Sequence, residues 1–195
     1  MRVIAGTARS LPLKTPKSMD TRPTTDRIKE TLFNILMPEL PDAVFIDLFA
    51  GSGGIGIEAL SRGAARAYFV EQGAEAAQCI NDNLKFTKMT EKGILLKQDV
   101  YAALYGIHEK RADIIFADPP YQEGHEEKLL SVLKEMSYVT PDTLIIVEAL
   151  LDTSFSFAPD YGFTVTREKN YKTNKHVFIK RNEDCHETSS ISRKL

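Results

Sequence analysis

The chain has 195 residues, 43% of them hydrophobic, and a formal net charge of −2. That is enough apolar material for one buried core, and no run approaches the ~18 apolar residues that would cross a bilayer. Two cysteines (Cys79 and Cys185) and four histidines (His108, His125, His176 and His186) fall in no ligand spacing. They argue against a metal site and point to a reducing compartment. The chain start lacks the apolar stretch of a signal peptide, so cytoplasm is the expected location.

Charge is unevenly placed. Residues 1 to 29 hold Arg2, Arg9, Lys14, Lys17, Arg22, Arg27 and Lys29 against Asp20 and Asp26, a local +5 that leaves −7 for the rest. Arg2 to Leu13 alternate weakly around Gly6 and Pro12, which predicts a small hairpin or an extended arm. Such a basic arm suits phosphate contacts, or is simply a solvated terminus. Arg22-Pro23-Thr24 then leads into a helix from about Thr25 to Met37, with Ile28, Leu32, Ile35 and Leu36 on one face. Arg22 and Thr24 would lie in a loop that covers a ligand or meets a polyanion; the sequence does not decide which.

Val44, Phe45, Ile46 and Leu48 form a nearly unbroken apolar run, as expected of a central strand covered on both faces. Gly51, Gly53, Gly54 and Gly56 follow, permitting a tight turn and close approach of a ligand to the backbone. A helix is expected over 53–62, closed by Gly63. Gly51, Gly53 and Gly56 also fit the dinucleotide pattern G-x-G-x-x-G, a weak signal alone. Two acids strengthen the case for a ligand. Asp47 sits inside the strand end, where an unpaired carboxylate is costly. Glu71 ends the next apolar run, Ala67 to Val70, at the distance of an acid that grips ribose hydroxyls.

Further apolar runs predict strands at Ile94–Leu96, Asp113–Ala117 and Leu144–Val147, the last ending in Glu148. Phe163–Tyr171 and Asn174–Lys180 predict an antiparallel hairpin turning at Lys172-Thr173. Helices are expected near 73–87, 101–108 and 124–137, and Asn83 on the first of these reads as structural. The 113–117 strand delivers Asp118-Pro119-Pro120-Tyr121 to the carboxyl edge of the sheet, where open α/β sheets bind ligands. The two prolines stop the strand and stiffen the turn after it. The Asp118 carboxylate and the Pro119 carbonyl can both accept from one NH2 group, while Tyr121 can stack on a base. Taken alone, the same four residues fit a proline turn with a surface acid.

Asp118-Pro-Pro-Tyr121 resembles the [D/N]-P-P-[Y/F/W] motif of S-adenosylmethionine-dependent methyltransferases that act on exocyclic amines. The string Asp47-Leu-Phe-Ala-Gly-Ser-Gly-Gly-Ile-Gly-Ile-Glu-Ala-Leu-Ser-Arg-Gly-Ala64, with Arg22-Pro-Thr24, Arg27 and Phe33-Asn34, is similar to one branch of them. That branch is the bacterial 16S rRNA guanine-N2 methyltransferases of the RsmD type, and the likeness covers about residues 1 to 181. Gly54-Ile55 stands where the family more often has Ala-Leu.

The resemblance implies a Rossmann-like class I methyltransferase fold. Its mainly parallel seven-stranded sheet would end in an antiparallel C-terminal hairpin, with a small N-terminal arm or β-hairpin over 1–21. One domain would span 1–181, and 182–195 would be a polar tail without fixed structure. It implies S-adenosylmethionine as cofactor, held by Asp47, Phe49, Gly51, Ser52, Gly53, Gly56, Glu71, Asp99, Val100 and Asp118. Asp99 would meet the adenine amine and Val100 its ring, although Asp99 could be a simple loop acid. Asp118, Pro119 and Tyr121 would be catalytic. Arg2, Arg9, Arg22, Thr24, Arg27 and Tyr121 would meet 16S rRNA, within an assembled or assembling small ribosomal subunit. The family also implies a monomer without metal. A nicotinamide dehydrogenase, a DNA adenine-N6 methyltransferase, a protein glutamine methyltransferase and a non-catalytic assembly factor are the rival readings.

Overall fold

The computed structural model describes residues 1–17, 26–121 and 124–183. Seven strands form one sheet in the order β3-β2-β1-β4-β5-β7-β6. β1 (Val44–Leu48), β2 (Arg66–Val70), β3 (Gly93–Leu96), β4 (Ile114–Ala117) and β5 (Leu144–Leu150) run parallel to one another. β7 (Asn174–Arg181) inserts antiparallel between β5 and the outer strand β6 (Phe163–Asn170). The expected sheet is therefore observed, with the hairpin closing it.

Alternation along each strand splits the apolar side chains between two faces. Ile46, Leu48, Ile115, Ala117, Ile145 and Val147 pack against α4 (Val100–Tyr105) and α5 (His125–Leu133). Phe45, Phe69, Ile114, Phe116, Ile146 and Phe178 pack against α1 (Asp26–Leu36), α2 (Gly54–Ser61) and α3 (Ala74–Phe86). Both faces are covered, which is why the parallel strands read as continuous hydrophobic runs. α4 stops at Tyr105 rather than 108, because Gly106 follows as its C-cap. α5 ends at Leu133 rather than 137, and the chain turns so that Met136, Tyr138 and Val139 drop into the core.

The first thirteen residues fold back on themselves. Val3 N–H donates to Leu11, Ser10 N–H to Val3 and Leu13 N–H to Met1. Fully buried Glu58 on α2 clamps this arm by accepting from the Ile4 and Ala5 N–H groups at 2.8 and 3.0 Å. Its charge is offset by Lys29 at 3.3 Å and Arg62 at 2.8 Å. Burial holds the Lys29 ammonium below its usual pKa, with Glu58 opposing that effect. Arm, α1 and α2 are thus tied by one buried charge cluster. Asn83 also proves structural, bridging Lys14 N–H and carbonyl to the Ser52 carbonyl.

Candidate active site

A cleft of about 1170 Å³ opens at the carboxyl ends of the parallel strands. Gly51, Glu71, Asp99, Asp118 and Glu148 all line it, one from each of the five strand ends or the loops just after them. A series of acids gathered at one sheet edge is costly to bury unless a ligand or hydrogen bonds use them. Several are already used in part, and that bracing fixes their geometry.

At one end of the cleft, Phe49 lies on the wall with a left-handed backbone (φ 58°), a conformation held against strain at the start of the turn. Glu71 accepts from Gly51 N–H at 2.9 Å and from Gly73 N–H at 2.7 Å, one bond on each oxygen. Each oxygen keeps lone-pair capacity for a hydroxyl donor. Asp99 is the N-cap of α4, its Oδ1 accepting from Tyr101 and Ala102 N–H groups at 3.0 and 3.2 Å. Asp99 thus has a structural role as the cap of α4, and it also lies on the cleft wall. Val100 beside it gives an apolar surface, and His125 faces Phe49 edge-on at 5.5 Å.

The glycine turn divides its work. Of its glycines, Gly51 alone is on the cleft wall. Gly53 and Gly56 instead let α2 seat against β2, because a Cβ at Gly56 would stand 2.4 Å from the Phe69 ring. Asp47 lies below the turn, 2% exposed, accepting from Gly56 N–H at 2.8 Å. Burial pushes its carboxyl well above the usual range, with Asp118 and Glu71 adding to the rise. Ser52 is buried under Met1 of the arm. Asp47, Ser52, Gly53 and Gly56 therefore shape the turn from behind rather than from the cleft side.

At the other end, β4 hands the chain to Asp118, Pro119, Pro120 and Tyr121, all four on the wall. Asp118 follows Ala117, the register partner of Val147, so it lies beside Glu148 on the neighbouring strand and on the same face. Desolvation, with the Glu148 charge second, pushes the Asp118 carboxyl up to about 8. Tyr121 remains 41% exposed, so its ring is open to stacking, and its hydroxyl reaches Glu148 at 3.4 Å.

Glu148 is the residue whose part in the site was missed. Its signal was present, since Glu71, Asp99 and Asp118 also come after apolar runs at the same edge. It is 4% exposed and accepts from Asn174 on β7, while its second oxygen meets His176 Nε2 at 3.1 Å. The other His176 ring nitrogen meets the Tyr171 hydroxyl at 3.1 Å.

Of the expected RNA contacts, Arg27 lines the cleft. Arg2 is away from it and pairs with Asp26 at 2.8 Å, and exposed Arg9 sits on the arm, also outside it. Arg22 and Thr24 lie outside the described residues. Among the described residues no three His, Cys, Asp or Glu side chains are grouped to hold a metal ion, and no helix is long and apolar enough to cross a membrane.

A family model described as Conserved hypothetical protein 95 matches residues 1–180. The protein YlbH of Bacillus subtilis is 39% identical over 150 residues, 76% of this chain and 82% of that protein. The Escherichia coli K12 protein named ribosomal RNA small subunit methyltransferase D is 35% identical over 170 residues, 87% of this chain and 84% of its own. The solved structure of yhhF from Escherichia coli superposes with a TM-score of 0.79 at 32% identity, covering 94% of this chain and 98% of that one. With the model spanning nearly the whole described chain and relatives above 30% identity over most of their length, the chain belongs to the Conserved hypothetical protein 95 family, alongside the ribosomal RNA small subunit methyltransferase D proteins.

Proposed function

We propose that this chain transfers a methyl group from S-adenosylmethionine to the exocyclic N2 of a guanine in the 16S rRNA of the small ribosomal subunit, working in the cytoplasm as a monomer. The observation that carries the reading is one cleft holding Asp118-Pro-Pro-Tyr121 at one end and Gly51, Glu71 and Asp99 at the other. Relatives named ribosomal RNA small subunit methyltransferase D support the RNA substrate.

The cofactor fits the residues present. Glu71 retains acceptor capacity where ribose hydroxyls would lie, Asp99 and Val100 offer an acid and an apolar surface for adenine, and Gly51 and Phe49 border the amino-acid end. When bound, S-adenosylmethionine supplies an electrophilic methyl group. The cleft volume exceeds that of an ordinary small-ligand site, leaving room for a base beside it.

The protein's own contribution is positioning and fixed charge. A guanine amine is a poor nucleophile because its lone pair is delocalised into the ring. Hydrogen bonds from that amine to the Asp118 carboxylate and the Pro119 carbonyl favour the pyramidal form and localise the pair. Asp118 then stabilises the positive charge growing on nitrogen and takes the released proton, a task suited to a group pushed up to about 8. Tyr121 stacks on the base, which must leave its own stack at a cost of a few kcal/mol, least for an unpaired loop. Arg27, exposed and lining the cleft, would meet a phosphate.

Transfer of labelled methyl to unmodified small subunits tests this, with naked 16S RNA and duplex DNA alongside and Asp118→Ala as control. The expected result is label on subunits, recovered as N2-methylguanine and lost in the variant. Label on DNA adenine, or cofactor binding without transfer to any RNA, would overturn the reading.

A further inference from the structure

Resting on that reading of the cleft, we propose that Glu148 selects guanine by accepting the N1–H of the base while Asp118 accepts from its amine. The two carboxyl groups come from adjacent parallel strands, one position beyond the Ala117–Val147 register pair, and both line the cleft. On this face they make a contiguous pair of acceptors. Guanine presents a matching pair of donors, N1–H and the N2 amine, on neighbouring atoms. Adenine places its amine beside an acceptor nitrogen, and cytosine does the same, so either base would set a lone pair against the Glu148 carboxylate.

The surrounding contacts hold Glu148 in place for this task. It is register-paired with His176 across β5 and β7. With its proton on Nε2, His176 donates to Glu148 and accepts from Tyr171 on the other nitrogen. Asn174 donates to the first oxygen. The remaining contact, from Tyr121, is long at 3.4 Å and leaves that oxygen with capacity for a better donor. A second observation points the same way. Asn174 Oδ1 is buried and has no hydrogen-bond partner among the described residues, and Asn174 also lines the cleft. This wall therefore carries a further unfilled acceptor, and buried acceptors of this kind are costly until a ligand donor meets them.

Competition with nucleosides tests the assignment. Guanosine, 2-aminopurine riboside and inosine are added separately to the methyl-transfer reaction on small subunits. The first two carry the amine, but only guanosine and inosine carry N1–H. Guanosine is expected to inhibit about 10- to 100-fold more strongly than 2-aminopurine riboside, the range for a hydrogen bond to a charged acceptor. In Glu148→Gln, whose amide can turn a donor toward N1, the gap should collapse while S-adenosylhomocysteine binding stays within about twofold of wild type.

Equal inhibition by guanosine and 2-aminopurine riboside in the wild type, or none by guanosine at its solubility limit, would overturn the role of Glu148. So would a gap that survives unchanged in the variant. Should Glu148→Gln fail to fold, the wild-type comparison alone decides. Wild-type protein that transfers no methyl to small subunits would instead defeat the functional reading, and this proposal with it.

Discussion

Asp118→Asn should make the protein more stable than wild type, by an amount that grows with pH. The native state keeps a proton on Asp118 up to about 8, whereas the unfolded chain releases it near the ordinary value of 3.8. Between those limits the native state binds more protons than the unfolded state, so wild-type stability falls as pH rises through the window and levels off above it. Desolvation is the larger cause and the Glu148 charge the smaller. An upward displacement of about four pH units corresponds to at most about 5–6 kcal/mol. Water at the cleft mouth screens the group, so about 2–3 kcal/mol is the expected size.

The amide keeps the shape and the carbonyl acceptor but never ionises. Urea unfolding of both proteins at pH 4, 7 and 9 reads the difference directly. The advantage of the variant should be small at pH 4, partial at pH 7 and greatest at pH 9. At about 2–4 °C per kcal/mol for a chain of this size, melting temperatures should separate by roughly 5–10 °C at the alkaline end. A difference that stays constant across the three pH values would refute the argument, because it would mean that Asp118 ionises equally in both states. Glu148→Gln should narrow the window by removing the second cause.

The same perturbation should shape catalysis, with wild-type methyl transfer rising with pH to a plateau above about 8, and the acid limb moving down in Glu148→Gln. Gly56→Ala puts a Cβ 2.4 Å from the Phe69 ring and should cost about 1–3 kcal/mol, read as a lowered urea midpoint. Glu58→Gln removes the charge that offsets buried Lys29 and Arg62 and should cost about 3–5 kcal/mol; an unchanged melting temperature would show that the cluster does not clamp the arm. Glu71→Gln should weaken S-adenosylhomocysteine binding by about 10- to 100-fold in calorimetry, since its oxygens brace Gly51 and Gly73 and face the cleft.

Much of this fold is local in origin and so could be read from the chain. The runs at Val44, Ala67, Ile94, Asp113 and Leu144 are apolar on both alternations because both faces of a parallel sheet are covered. The glycine turn, Glu71 and Asp118-Pro-Pro-Tyr121 announce themselves because each needs unusual residues at fixed spacing. The division of labour inside the turn was not legible. Gly51 and Gly56 look alike in sequence, yet one borders the cleft and the other exists to admit Phe69. Asp47 and Asp118 are both strand-end acids, and only packing shows that one is sealed beneath α2 while the other faces ligand space.

What tertiary structure alone decided is the far wall of the cleft. Glu148, Asn174 and His176 are separated by up to 28 positions along the chain. They meet because β7 runs antiparallel between β5 and β6, setting His176 opposite Glu148. No periodicity encodes that pairing, since it depends on which edge the last hairpin adds to and in which register. The sequence by itself determined the glycine turn, the Asp118-Pro-Pro-Tyr121 turn and the strands that carry them. The parallel pairing of β4 with β5 set Glu148 beside Asp118, and the insertion of β7 brought Asn174 and His176 against it.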